Sequence, residues 1–358
     1  MTHAAPPDPV SRTRWRWAPV GILLLLLCIA PVVWLGKHLF SQDGAAITVQ
    51  KSSTPIARRS SEPVASGPVR LGTHGTAVSS VAFTPDGRLG VSGGSAGDPS
   101  IRFWDLAGGG SIRRLEGHRS NVKAISFSAD GKRMLSASAD GTSCYWEVDS
   151  GKVLHRFGPF GGELWTAAIA PDGQHAVIGG QDGLLHYLDL SSGNEITGLA
   201  GHRGLIEWAC FSPDGTQLLS TGDDAIVHVW DVQRRTEIAR LADHRFPVRL
   251  ALFSRDQKEI ISGDHDGGIL LWNVAARSVV RRFVGHRQRI QGLAFLPDGQ
   301  RIVSGCADQT ARVWDKTTGR ELGSFSYPAP INFLSLSADG RQIITAHGNG
   351  EVHLLRLP

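Results

Sequence analysis

The chain has 358 residues, of which 41% are apolar, 20% charged and 7% aromatic; this excludes a wholly disordered or collagen-like polymer and allows a large core. Its 43 Gly and 18 Pro recur at intervals along the chain, which excludes a helical bundle and implies many short strands and turns. Residues 1–66 hold seven bases and three acids, so the totals of 37 and 33 leave 30 of each for the remainder. That balanced body gives no ground for a nucleic-acid binder, which relies on a clustered basic face.

In chain order, a short tail (1–17) precedes an uncharged stretch at 18–36, Ala-Pro-Val-Gly-Ile-Leu-Leu-Leu-Leu-Leu-Cys-Ile-Ala-Pro-Val-Val-Trp-Leu-Gly. As a helix it would reach about 28 Å, enough for a bilayer core. Pro19 falls in the first turn, Pro31 would kink the helix without removing it, and Trp15, Trp17 and Trp34 sit at the two ends as interfacial aromatics do. The alternative is a cleaved signal peptide with Ile22 to Ala30 as its apolar region, although Pro31 is awkward after such a site. Arg12, Arg14 and Arg16 before the span, against Lys37 and Lys51 after it, place the N-terminus in the cytoplasm and the body outside it, as a single-pass membrane protein. Residues 37–67, rich in Ser, Thr, Ala and Pro without apolar period, read as a flexible linker.

From residue 68 the sequence repeats. A turn acid recurs at Asp86, Asp130, Asp172, Asp214, Asp256, Asp298 and Asp339, at spacings of 44, 42, 42, 42, 42 and 41. A second acid or amide follows at Asp98, Asp140, Asp182, Asp224, Asp266, Asp308 and Asn349, and six residues later comes Trp104, Trp146, Leu188, Trp230, Trp272, Trp314 or Leu355. One unit contains an apolar run at Leu205 to Phe211, a turn at Pro213-Asp214-Gly215, a second run at Gln217 to Thr221, and further runs at Ile226 to Val232 and Glu237 to Leu241. Four strands joined by hairpins, repeated seven times at about 40 to 45 residues, predict an all-β, seven-bladed β-propeller over 68–358. The last unit stops one strand short, and the unassigned Pro68-Val69-Arg70-Leu71 supplies a strand that closes it. Closure hides two sheet edges that would otherwise template aggregation.

With Gly117-His118, Gly201-His202, Gly285-His286, Trp104-Asp105, Trp230-Asp231 and Trp314-Asp315, residues 68–358 resemble the WD-repeat β-propeller family. The resemblance implies a hydrogen-bonded quartet of His, Ser or Thr, Asp and Trp inside each blade. The matching residues are His74, Ser92, Asp98 and Trp104; His118, Ser136, Asp140 and Trp146; His202, Ser220, Asp224 and Trp230; His244, Ser262, Asp266 and Trp272; and His286, Ser304, Asp308 and Trp314. Blade three departs from the pattern with Phe160, Ile178, Asp182 and Leu188, and blade seven with Tyr327, Thr345, Asn349 and Leu355. Both are expected to replace polar links by apolar packing, with Asp182 facing solvent.

Ser, His and Asp together invite a hydrolase reading. Five copies of one catalytic site are implausible, and each Ser hydroxyl is engaged by Trp, so the expectation is a structural network and no enzyme. No His-x-His or Cys-x-x-Cys pair begins a metal site, Asp264-His265-Asp266-Gly267 lacks the distal acid of a calcium loop, and Gly108-Gly109-Gly110 lacks the Lys and helix of a phosphate loop. No metal or cofactor is expected. Cys144, Cys210 and Cys306 fall in alternate blades, beyond disulfide reach.

The family's partners usually bind the narrow face around the channel, near the residue five after each blade's His position. That ring is Ser79, Lys123, Trp165, Glu207, Arg249, Gln291 and Asn332. The function expected is a membrane-tethered scaffold that presents a rigid disc to a protein or peptide partner, with no small-molecule substrate and no nucleic acid. The alternatives are a permanent structural subunit of a membrane complex and, third, an enzyme using the channel mouth.

Overall fold

The computed structural model describes residues 67–357. The expected membrane segment at 18–36 lies outside the described residues; among those described, no helix is long and apolar enough to cross a membrane. Residues 67–357 form seven antiparallel sheets of four strands, each built from consecutive strands except the one that joins the first and the last described strands. The first strands of neighbouring blades, such as Val78–Phe83, Val122–Phe127 and Leu164–Ile169, contact one another in a closed ring around a channel.

The recurring turn acids have one physical role. Asp130 Oδ1 accepts the backbone N–H of Lys132 at 3.0 Å, and Asp86, Asp172, Asp214, Asp256, Asp298 and Asp339 each do the same for the residue two ahead. These Asx turns satisfy an amide that the hairpin leaves unpaired, which is why the acid survives in every unit. Between blades the packing is apolar: Val91, Ile101 and Phe103 of blade one meet Val122, Met134 and Trp146 of blade two, all buried. Polar staples cross the same seams, with Ser80 Oγ donating to the Val122 carbonyl at 2.8 Å and Ala209 N to Thr166 Oγ1 at 2.8 Å.

Ring closure follows the expectation. Val69–Thr73 pairs antiparallel with Glu351–Arg356, register Val69 to Leu354 and Thr73 to Glu351. The N-terminal strand therefore completes the last blade.

The inner strands share one irregularity that places the channel residues. In all seven blades the inner strand's pairing register slips at one position, between Val78 and Ser80 in blade one and at the equivalent place in the others. The skipped residues are Ser79, Lys123, Trp165, Glu207, Arg249, Gln291 and Asn332. A bulge leaves one residue unpaired and re-aims its side chain.

Candidate functional site

Four strand or loop positions build each quartet, and three blades show it in full with the expected residues. In blade two His118 lies 3.1 Å from Asp140 Oδ2 through Nδ1 and 2.7 Å from Ser136 Oγ through Nε2, while Trp146 Nε1 donates to the same Oγ at 2.8 Å. Blade four repeats this with His202, Asp224, Ser220 and Trp230 at 2.9, 2.6 and 2.8 Å. Blade six does so with His286, Asp308, Ser304 and Trp314, each contact 2.7 Å. Donor accounting makes Nδ1–H the donor to Asp and Nε2 the acceptor of the Ser proton. The Ser oxygen then takes the indole proton, so it is a committed acceptor inside a buried chain.

In blade one Trp104 Nε1 and His74 Nε2 both reach Ser92 Oγ at 2.7 Å. Asp98 stands off His74 Nδ1 at 3.4 Å because Arg102 Nη2 takes its Oδ2 at 2.6 Å. Burial, aided by the Arg102 charge, pushes His74 down to about 4.

Blade five corrects the sequence expectation. His244 bonds Asp264 at 2.8 Å and Ser262 at 2.7 Å, with Trp272 on Ser262 at 2.7 Å. Asp266 is exposed and outside the quartet. Asp264 sits at the end of the strand, where its Oδ1 also caps the amides of Asp266 and Gly268 at 3.0 and 2.7 Å, so the buried acid displaces the turn acid.

The substituted positions of blades three and seven pack apolar as expected, Ile178 and Leu188 with Phe160 in one buried cluster and Leu355 with Tyr327 in another, but both blades also keep polar links. Asp182 does not simply face solvent: its Oδ2 holds His186 Nε2 at 2.8 Å, the other ring nitrogen meets Glu195 at 2.8 Å, and Phe160 packs on that ring at 4.1 Å between centroids. Blade four has the same clamp, His228 between Asp224 at 3.1 Å and Glu237 at 2.6 Å. In blade seven His347, from within the second strand, bonds Thr345 at 2.8 Å and the Ala329 carbonyl at 3.1 Å beside Tyr327. A His sits four residues after the turn acid at His186 and His228, and that spacing is the signal sequence reasoning passed over.

Folding also gathers His202, Asp224 and His228, and separately His286, Cys306 and Asp308, with ligand-type atoms within 4.8 Å. The hydrogen bonds above account for the ring nitrogens of His202, His228 and His286. Cys144, Cys210 and Cys306 are free, and burial pushes each thiol up to about 12.

At the channel mouth, Ser79, Lys123, Trp165, Arg249, Gln291 and Asn332 line a cavity of about 170 Å³ together with Arg289. Lys123 Nζ lies 4.0 Å from the centroid of the half-buried Trp165 ring. Asn332 Nδ2 donates to the Val78 carbonyl at 3.0 Å, and Arg249 bonds the Glu207 carbonyl at 3.1 Å and Gln291 at 3.3 Å. Glu207 is not presented to solvent as the ring position implied. It is 1% exposed, bonded to Arg289, with His265 Nε2 at 2.8 Å and Arg249 at 3.7 Å. Burial alone would raise this carboxyl; His265, Arg249 and Arg289 outweigh it and hold it below the ordinary range. Burial also lowers Lys123, and lowers Arg249 to about 10.

The opposite end of the channel, where first and second strands turn, holds a cavity of about 790 Å³ lined by Trp208, Phe253, Phe295, Phe333 and Leu336 among others. No sequence pattern pointed to it.

Comparison with known proteins agrees with this geometry. The chain is 40% identical over 68 residues to the U3 small nucleolar RNA-associated protein 15 homolog of Xenopus tropicalis, a match that covers 19% of this chain and only 13% of that relative's length. The family model described as "WD domain, G-beta repeat" matches residues 68–105, 109–147, 193–231, 235–273 and 277–315, more than half of the chain and five of its seven blades. The first three strands of blades three and seven, whose quartets depart from the pattern, fall outside those matches while their outer strands fall within them, and the chain belongs to the WD-repeat family.

Proposed function

We propose that this protein is an interaction scaffold that presents the channel mouth ringed by Ser79, Lys123, Trp165, Arg249, Gln291 and Asn332 to a protein or peptide partner. The observation that carries the reading is the set of seven bulges, one per blade, at the ring positions. Bulges spoil ladder pairing, and a device repeated in seven blades, six of whose bulged residues line one opening, fits a recognition surface on a rigid frame. The quartet residues hold that frame; Ser220 is fully buried and already accepts the Trp230 proton, so it is unsuited to act as a nucleophile. A photocrosslinking amino acid at Ser79 or Gln291, expressed in the native host, should give a discrete protein adduct, and the same residue at Pro297 on the far end should not. Adducts from both ends or neither would defeat the assignment.

The scaffold reading includes a membrane tether through residues 18–36, with the propeller on the extracytoplasmic side. The uncharged run and its flanking Trp residues support it. Alkaline carbonate should leave the full chain in the membrane fraction, and its release into the wash would remove the tether from the proposal.

A further inference from the structure

We propose that the channel mouth is an anion site whose partner is an acidic, carboxylate-rich peptide segment. This rests on the channel-mouth reading above and adds the chemistry of the partner. The residue directly after the His of the quartet is Arg119, Arg203, Arg245 and Arg287 in blades two, four, five and six, and all four are exposed. None of their guanidinium groups makes a hydrogen bond or ion pair with a described residue. Two are held at the backbone by the quartet itself, since the amides of Arg119 and Arg203 donate to Asp140 and Asp224 at 2.8 and 3.1 Å. The structural network therefore fixes the backbone of two members of a crown of four unpaired cations on the face where the ring opens.

Inside the crown the charge is also unbalanced. Glu207 is shared by Arg249, Arg289 and His265, while Lys123 has no ion-pair partner among the described residues and rests on Trp165. An unpaired ammonium half-buried beside the Ser79, Gln291 and Asn332 side chains is costly unless an anion completes it. The cavity of about 170 Å³ suits one carboxylate side chain, with the crown engaging further acids along the same segment.

A nucleic acid fits less well. Lys123 covers the Trp165 face that a base would stack on.

The test is fluorescence anisotropy of full-length protein in a non-ionic detergent with fluorescein-labelled octaglutamate, against octaglutamine and a labelled 20-mer of uridylate. The expected result is saturable octaglutamate binding that weakens with salt, drops at least tenfold in Lys123→Gln and again in Arg203→Gln/Arg287→Gln, with octaglutamine silent. Melts establish that each variant is folded; if Lys123→Gln is not, the exposed arginine pair alone decides. Absence of saturable binding, or binding kept in the folded variants, overturns the proposal, and tighter binding of the uridylate probe would reassign the site to RNA. Crosslinks from Ser79 with no octaglutamate binding would leave the mouth as an interface with a non-acidic partner. Octaglutamate binding without crosslinks would instead defeat the scaffold reading alone.

Discussion

His244 takes its carboxylate from Asp264 at 2.8 Å, leaving Asp266 at the repeat's usual position exposed. Asp264→Ala should cost about 1 to 3 kcal/mol, because it orphans the buried His244 Nδ1 and two turn amides. Asp266→Ala should stay within about 0.5 kcal/mol as an ordinary surface change. Urea melts of the two variants decide; equal losses would return the quartet role to Asp266.

The Gly of each Gly-His pair has a steric reason. A Cβ on Gly201 would lie 2.6 Å from Trp230 Cη2, on Gly117 2.6 Å from Trp146 Cη2, and on Gly285 2.8 Å from Trp314 Cη2. Gly201→Ala must push the indole off the Ser220 hydroxyl and should destabilise by about 1 to 3 kcal/mol. Gly323→Ala, in an outer strand with nothing within 4 Å of its Cβ, should be neutral. A Gly201→Ala melt that matches Gly323→Ala would mean that the indole moves aside freely.

Much of this architecture was legible because it is periodic. Seven turn acids at intervals of 41 to 44 residues gave the blade count, and the short last unit gave the strand that closes the ring. What escaped were substitutions of one position for another within a blade: Asp264 for Asp266, and His347 supplying the ring that blade seven lacks before its first strand. Those need the three-dimensional reach of a side chain, which spacing alone does not give. The burial of Glu207 depends on Arg289, 82 residues away in another blade. The arginine crown was hidden differently, since a body with equal acids and bases conceals a local excess on one face.

Deleting Val69–Thr73 should destabilise the fold far more than deleting residues 41–65. The first removes a strand paired to Glu351–Arg356 and strips the buried Leu71 from the core that includes Trp104 and Val352. It also opens two edges to aggregation. Thermal melts of the two deletions compare them directly; similar midpoints would show that the ring holds without its N-terminal strand.

Acid should weaken the propeller before its carboxylates protonate. Burial depresses His74 and His347 from 6.5 to about 4, with Arg102 adding to the effect on His74 and His353 on His347. Both are neutral in the fold, whereas the unfolded chain takes up a proton at each near pH 6.5. Their contribution is therefore complete above pH 6.5 and is lost as pH falls towards 4, by up to about 3 kcal/mol for each. Hydrogen bonds from His118 and Thr142 outweigh burial at Asp140, and those from His202 and His228 do so at Asp224, holding both carboxyls well below the ordinary range. Those groups begin to contribute their loss only below about pH 5, so the slope between pH 6.5 and 5 belongs to the histidines. His347→Asn should be less stable at pH 7.5 yet show a shallower fall in urea midpoint between pH 6.5 and 5. A wild-type midpoint that is flat or rises over that interval, or a variant with an unchanged slope, would remove buried neutral His347 from the account.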